Sequence, residues 1–97
     1  MAGHIRVTPE ELISMSRRYE NESGEVEQQI RELDDMISQL QDMWKGAASE
    51  AFAEQYEGLR PSIVDMQRLL HDVSVQLENT AKALEDADSQ IASQIRG

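Results

Sequence analysis

Few residues in this chain are of types that do chemistry. There are two histidines, His4 and His71, and no cysteine. Without cysteine there is no thiolate nucleophile, no disulfide framework and no Cys-ligated zinc. His4 sits in a short N-terminal arm, and His71 has no second histidine at metal-ligand spacing, so both read as ordinary surface histidines. Asp34-Asp35 and Glu85-Asp86 are adjacent carboxylates that could in principle act as acid/base pairs or cation ligands. Adjacent residues on a helix point in different directions, however, so solvated surface is the expected role. There is no glycine-rich phosphate loop, Ser/His/Asp set or zinc spacing. The expectation is a non-enzyme with no catalytic residues, no metal and no cofactor.

The concentrated feature is Trp44-Lys45-Gly46, which holds the only tryptophan and falls near the middle of the 97 residues. A bulky anchor on a last helical turn, followed by a glycine that tolerates positive φ, suits a chain reversal. Read alone, it is a turn lock that plugs one end of a bundle.

Two helical halves position this motif. Thr8 can cap a helix, Pro9 suits its first position, and Glu11 completes a Thr-x-x-Glu capping box. Residues 1–7 are then a short arm. Leu12, Met15 and Tyr19 open an apolar stripe, and Val26, Ile30, Leu33, Ile37, Leu40 and Trp44 continue it in alternating steps of four and three. The stretch Glu20 to Glu25 interrupts it, with Ser23 in the seam position and Gly24 beside it. This reads as a local weak point or register shift, not a helix end. After the turn, Phe52, Tyr56, Leu59, Ile63, Met66, Leu70, Val73 and Leu77 form an unbroken heptad run, which Leu84, Ile91 and Ile95 extend. Pro61 lies inside it. A proline there usually breaks a helix, but the apolar phase passes without a slip, which favours a kinked, continuous helix.

The reading is a single all-α domain over 1–97: helix 1 over about 8–44, a turn at about 45–47, and helix 2 over about 48–95. So short a turn forces an antiparallel helix-turn-helix hairpin. Ile13, Met36 and Met43 widen the first stripe, and Val64, Leu69 and Val75 the second, so each covers more than one neighbour. Two hairpins then pair into a four-helix-bundle dimer, a homodimer or a pair with a similar helical hairpin protein. Met15, Met36, Met43 and Met66 lie on or beside the stripes, as core packing or as an adaptable partner surface.

Nineteen acidic against nine basic residues leave a formal charge of −10. That disfavours nucleic acid, whose phosphates demand a basic face, and anionic lipid surfaces. The charge reads as solvated outer faces, with Glu27/Arg31 and Glu78/Lys82 at the favourable Glu-first spacing. Apolar content of 39% is too high for a disordered acidic tail, while 4% aromatic content suits helices better than a β-sandwich. No run of about 18 apolar residues occurs, so no stable membrane insertion is expected. The start, MAGHIRVTPEEL, lacks the apolar stretch of a secretory signal, so any export is expected to bypass the cleaved-signal route.

The central Trp44-Lys45-Gly46, the length, the acidic charge and the flanking heptads together resemble the WXG family of small helical-hairpin proteins, the ESAT-like superfamily. The Thr8-Pro9-Glu10-Glu11-Leu12 start and Phe52-x-x-x-Tyr56 look like members from Firmicutes, and the resemblance covers residues 5–97. It implies export by a type VII (ESX or Ess-type) secretion system as a folded dimer, recognised by an FtsK/SpoIIIE-like membrane ATPase. It also implies a C-terminal signal. The mycobacterial Tyr-x-x-x-Asp/Glu version is absent, but Leu84, Asp88, Ile91 and Ile95 match the Firmicutes spacing at every position. The apolar three also fit a plain continuation of the stripe, which leaves Asp88 as the distinctive element. The resemblance thus implies a recognition set of Trp44, Gly46, Leu84, Asp88, Ile91 and Ile95. Val26, Ile30, Leu33, Ile37, Leu40, Phe52, Tyr56, Leu59, Ile63, Met66, Leu70, Val73 and Leu77 are expected in core and dimer packing. Two other readings stay open: a cytoplasmic adaptor or chaperone that pairs with a larger toxin, and a generic coiled-coil scaffold.

Overall fold

The computed structural model describes the backbone of residues 7–96 and the side chains of residues 7–91. His4 and the side chain of Ile95 lie outside the described residues. Within them the chain forms two helices, α1 (Pro9–Met43) and α2 (Ala47–Arg96), packed antiparallel as a hairpin 76 Å long.

The start of α1 follows from its local chemistry. Thr8 is extended, its hydroxyl accepts from the Glu11 N–H at 3.1 Å, and the Glu11 carboxylate accepts from the Thr8 N–H at 3.3 Å. Two N–H groups that the helix leaves unpaired are thereby satisfied. At the other end Trp44 leaves helical geometry while its N–H still donates to the Leu40 carbonyl at 2.8 Å. Gly46 then adopts φ +143°, a conformation that L side chains rarely adopt, and its carbonyl accepts the Glu50 N–H that opens α2. A Cβ at Gly46 would meet nothing within 4 Å, so the demand for glycine there is conformational. Pro61 lies inside α2, which runs on through it.

The line along which the helices touch passes through the expected Ser23 and Ile30 but otherwise uses small residues outside the apolar stripe. On α1 it runs through Ser16, Ser23 and Ile30; on α2 it runs through Ser49, Ala53, Ser74 and Ala81, all buried. Ser23 is 2% exposed, donates to the Gln67 carbonyl at 3.1 Å and accepts from its side-chain amide at 3.0 Å. The expected weak point at Ser23 is therefore a tight cross-helix contact: a small side chain there lets the two backbones approach. Tyr56, Ile63, Leu70 and Leu77 are half-buried beside this line, as are Val26, Leu33, Ile37, Leu40 and Val73. Phe52, Leu59 and Met66, from the same heptad run, are exposed.

The two helices are unequal, 35 and 50 residues, or about 52 and 75 Å at 1.5 Å per residue. The cross-helix pairs Glu20/His71, Ser23/Gln67 and Asp34/Arg60 set the register and bring Pro9 to about the level of Lys82. The last turns of α2, roughly 20 Å from about Leu84 onward, extend past the start of α1, with no other helix beside them among the described residues.

Candidate functional site: two exposed ends and the stripe between them

At the turn end, Trp44 is held by the last hydrogen bond of α1 and packs on Phe52 of α2, ring centroids 5.8 Å apart and tilted by 56°. Tilted aromatic pairs are favoured by the quadrupoles of the rings. Both rings remain substantially exposed, as do Met36 and Met43 on the last two turns of α1. A large aromatic surface is thus fixed in place yet open to contact.

At the other end, Leu84, Asp88 and Ile91 are all exposed on the projecting part of α2. The backbone of Ile95 is helical there. Leu84 lies eighteen residues, about five turns, from Met66 and so shares its side of the helix. The stripe of Leu59 and Met66 therefore continues to Leu84 and Ile91 on the overhang, with the Asp88 carboxylate one turn beyond Leu84. One chain does not bring the two ends together: Trp44 and Ile91 stand near opposite ends of the 76 Å axis.

Two polar clusters, unforeseen from the sequence, tie α1 to α2. The Asp34 carboxylate accepts from Tyr56 Oη at 2.6 Å and, in a two-pronged contact, from Arg60 Nε and Nη2 at 3.0 and 2.9 Å. The Arg60 guanidinium, then the Tyr56 hydroxyl, hold Asp34 below its ordinary carboxylate range. The same carboxylate raises Arg60, while burial and then the Asp34 bond raise Tyr56. Asp34 is thus a cross-helix acceptor, not the solvated surface residue expected of an Asp-Asp pair. Near the middle of α2, Glu20 accepts from Ser74 Oγ at 2.9 Å and contacts His71 Nδ1 at 2.8 Å, and the His71 bond is the leading cause of its lowered pKa. His71 therefore bridges the helices, where the sequence reading made it ordinary surface. The expected surface pairs Glu27/Arg31 and Glu78/Lys82 are present.

These clusters had a faint signal. Ala53, Arg60, Gln67, Ser74 and Ala81 recur every seven residues on α2, and Ser16, Ser23 and Ile30 do so on α1. A search for apolar residues passes over a heptad line made of small and polar ones. Among the described residues, no group of three His, Cys, Asp or Glu could hold a metal ion, and no helix is long and apolar enough to cross a membrane.

A two-helix hairpin with Trp-x-Gly at its turn defines a class, and comparison with known proteins agrees. Residues 4–89 match the family described as "Proteins of 100 residues with WXG", and the chain belongs to this WXG100 family. It is 58% identical to the protein YukE of Bacillus subtilis over the whole of both chains. It is 29% identical to the type VII secretion system extracellular protein A of Staphylococcus aureus, over 92% of each chain. The crystal structure of EsxA from Geobacillus thermodenitrificans superposes with a TM-score of 0.87 at 53% identity, covering 95% of this chain and 99% of that one. The resemblance to the WXG family of type VII proteins and the all-α hairpin are thereby established.

Proposed function

We propose that this chain is exported by a type VII secretion system as a folded pair of hairpins. An FtsK/SpoIIIE-like ATPase reads a surface shared between the two chains. Trp44 and Gly46 come from one chain; Leu84, Asp88, Ile91 and Ile95 come from the other. One observation carries the reading: the Trp44 turn and the projecting tail are both exposed and lie at opposite ends of one hairpin, joined by an exposed apolar stripe. A second hairpin laid antiparallel on that stripe covers it and sets each turn beside the other chain's tail. The receptor pocket takes the apolar side chains and offers a basic group to Asp88. The S. aureus relative is named as an extracellular protein of this system, which supports the direction of travel. No step requires a catalytic group.

The test compares culture supernatant with cell pellet in cells with and without the ATPase, using a cytosolic marker for lysis. ATPase-dependent appearance in the supernatant, lost in Asp88→Ala, is expected; unimpaired export of Asp88→Ala would remove that residue from the signal. Retention in the pellet together with co-purification of a larger hairpin-bearing toxin would instead support an adaptor, for which the same stripe is a docking face.

A further inference from the structure

The exposed stripe is not uniformly apolar. On α1, between Met15 and Val26, it is interrupted by Arg18 and Glu22, which line a shallow concavity of about 360 Å³ with Met15, Tyr19 and Leu70. Both are exposed, and among the described residues neither has an ion-pair partner. Within one helix the Arg-first order at this spacing is the weaker arrangement. A positive and a negative group one turn apart within an apolar face each need an opposite charge once another chain covers that face, because a buried charge without a partner is costly.

The concavity also has a special position. The middle of α2 (Ala47–Arg96) falls at His71 and Asp72, and His71 contacts Glu20, which lies between Arg18 and Glu22. The pair therefore sits at the midpoint of the long axis. Reversing the chain about that midpoint exchanges the level of Arg18 with that of Glu22. On α2 the same reversal exchanges Phe52 with Ile91, Leu59 with Leu84, and Met66 with Leu77, so apolar groups meet apolar groups along the whole stripe. An isologous two-fold contact requires this self-complementarity.

We infer that two copies of this chain pair antiparallel about a two-fold axis at the Met15–Arg18–Tyr19–Glu22–Leu70 concavity, with Arg18 of each copy against Glu22 of the other. The inference rests on the pairing proposed above and fixes its register. Full overlap of the two long helices brings the Trp44 turn of each copy to the level of residues 91–96 of the other. Charge at the axis also selects a like partner: a hairpin without this reversed pair would leave Arg18 and Glu22 buried and unmatched.

Charge reversal tests the register by the dilution dependence of mass in solution, with helix content checked by circular dichroism. R18E gathers four carboxylates at the axis, and E22R gathers four guanidiniums. Each variant alone is expected to self-associate about tenfold more weakly or worse, because two attractions become repulsions. An equimolar mixture of R18E and E22R is expected to form a mixed pair, and the double variant R18E/E22R to regain wild-type association. Wild-type association of the single variants, or a double variant no better than they are, would overturn the register while leaving pairing intact. A wild-type chain that stays monomeric at micromolar concentration would overturn the pairing itself.

Discussion

The face of α2 turned toward α1 carries Ala53, Arg60, Gln67, Ser74 and Ala81 at seven-residue intervals, whereas the open face carries Phe52, Leu59, Met66, Leu84 and Ile91. The first face closes by shape and hydrogen bonding: small residues bring the helices together, and Gln67, Ser74 and Arg60 each find a partner on α1. The second holds much of the larger apolar surface and leaves it uncovered. Only Ile30, Ala53 and Ala81 are apolar and buried among the described residues, which is a thin core for a hairpin this long. The difference assigns the faces separate tasks. The inner seam sets the register of the hairpin, and the outer stripe supplies surface that becomes stabilising only when another chain covers it.

Substitutions can break that contrast, beginning with the inner face. Ala81 is 0% exposed, so Ala81→Leu has no room for its added carbons. It is expected to destabilise the hairpin by about 3 kcal/mol, read from urea unfolding at fixed protein concentration. On the open face, replacing Leu59 and Met66 together by Ser is expected to halve the mass in solution at micromolar concentration. Helix content should persist, and the unfolding midpoint should no longer rise with protein concentration. A variant that unfolds outright while Ala81→Leu remains stable would invert the assignment of the faces.

Acid should act on the inner face by a smaller, graded amount. Asp34 and Glu20 are both held below their ordinary values of 3.8 and 4.5, by the Arg60 and His71 contacts respectively. A carboxylate with a depressed folded-state pKa contributes stability that is complete above its unfolded value and is lost as pH falls through the folded one. Thermal stability contributed by these clusters should therefore hold near neutrality and decline below about pH 4. In Asp34→Asn with Glu20→Gln, that part of the decline should be absent.

The turn gives a still smaller effect on folding with a large one on transport. Trp44→Ala removes the tilted pair with Phe52 but leaves the seam untouched, so a cost near 1 kcal/mol is expected alongside a strong loss of export. Glu27→Gln, in an exposed pair on a single helix, should change stability by at most about 0.5 kcal/mol and leave export unchanged.

Much of the architecture was legible because its signals are local. The capping box at Thr8 and Glu11, the glycine after Trp44 and the four-three apolar spacing each specify backbone geometry within a turn or two. Helical continuity through Pro61 could be read because the apolar phase did not slip. The seam was legible only in part: Ser23 and Ile30 fall on the expected line, but a close helix contact also uses small residues, and an apolar count weights Ser16, Ser49 and Ser74 as nothing. The roles of Asp34 and His71 are equally hidden in the sequence, since their partners Arg60 and Glu20 are distant along the chain and meet them only after the hairpin closes. The residues proposed for recognition stood out as motif and spacing. The separation of Trp44 from the Leu84–Ile91 tail follows from the hairpin the sequence predicts; the structure adds that both ends are exposed.

A mixed-chain export assay tests the shared surface most directly. Trp44→Ala and Asp88→Ala chains, differently tagged, are expressed separately and together, and supernatant is compared with pellet. Each alone is expected to stay in the cell, because every pair it forms lacks one half of both recognition surfaces. Together, a mixed pair joins the Trp44 turn of the Asp88→Ala chain to the intact tail of the Trp44→Ala chain, and both tags should appear in the supernatant. If co-purification shows that the mixed pair forms in the cell and neither tag is exported, the two halves are not read across chains and the central claim is wrong.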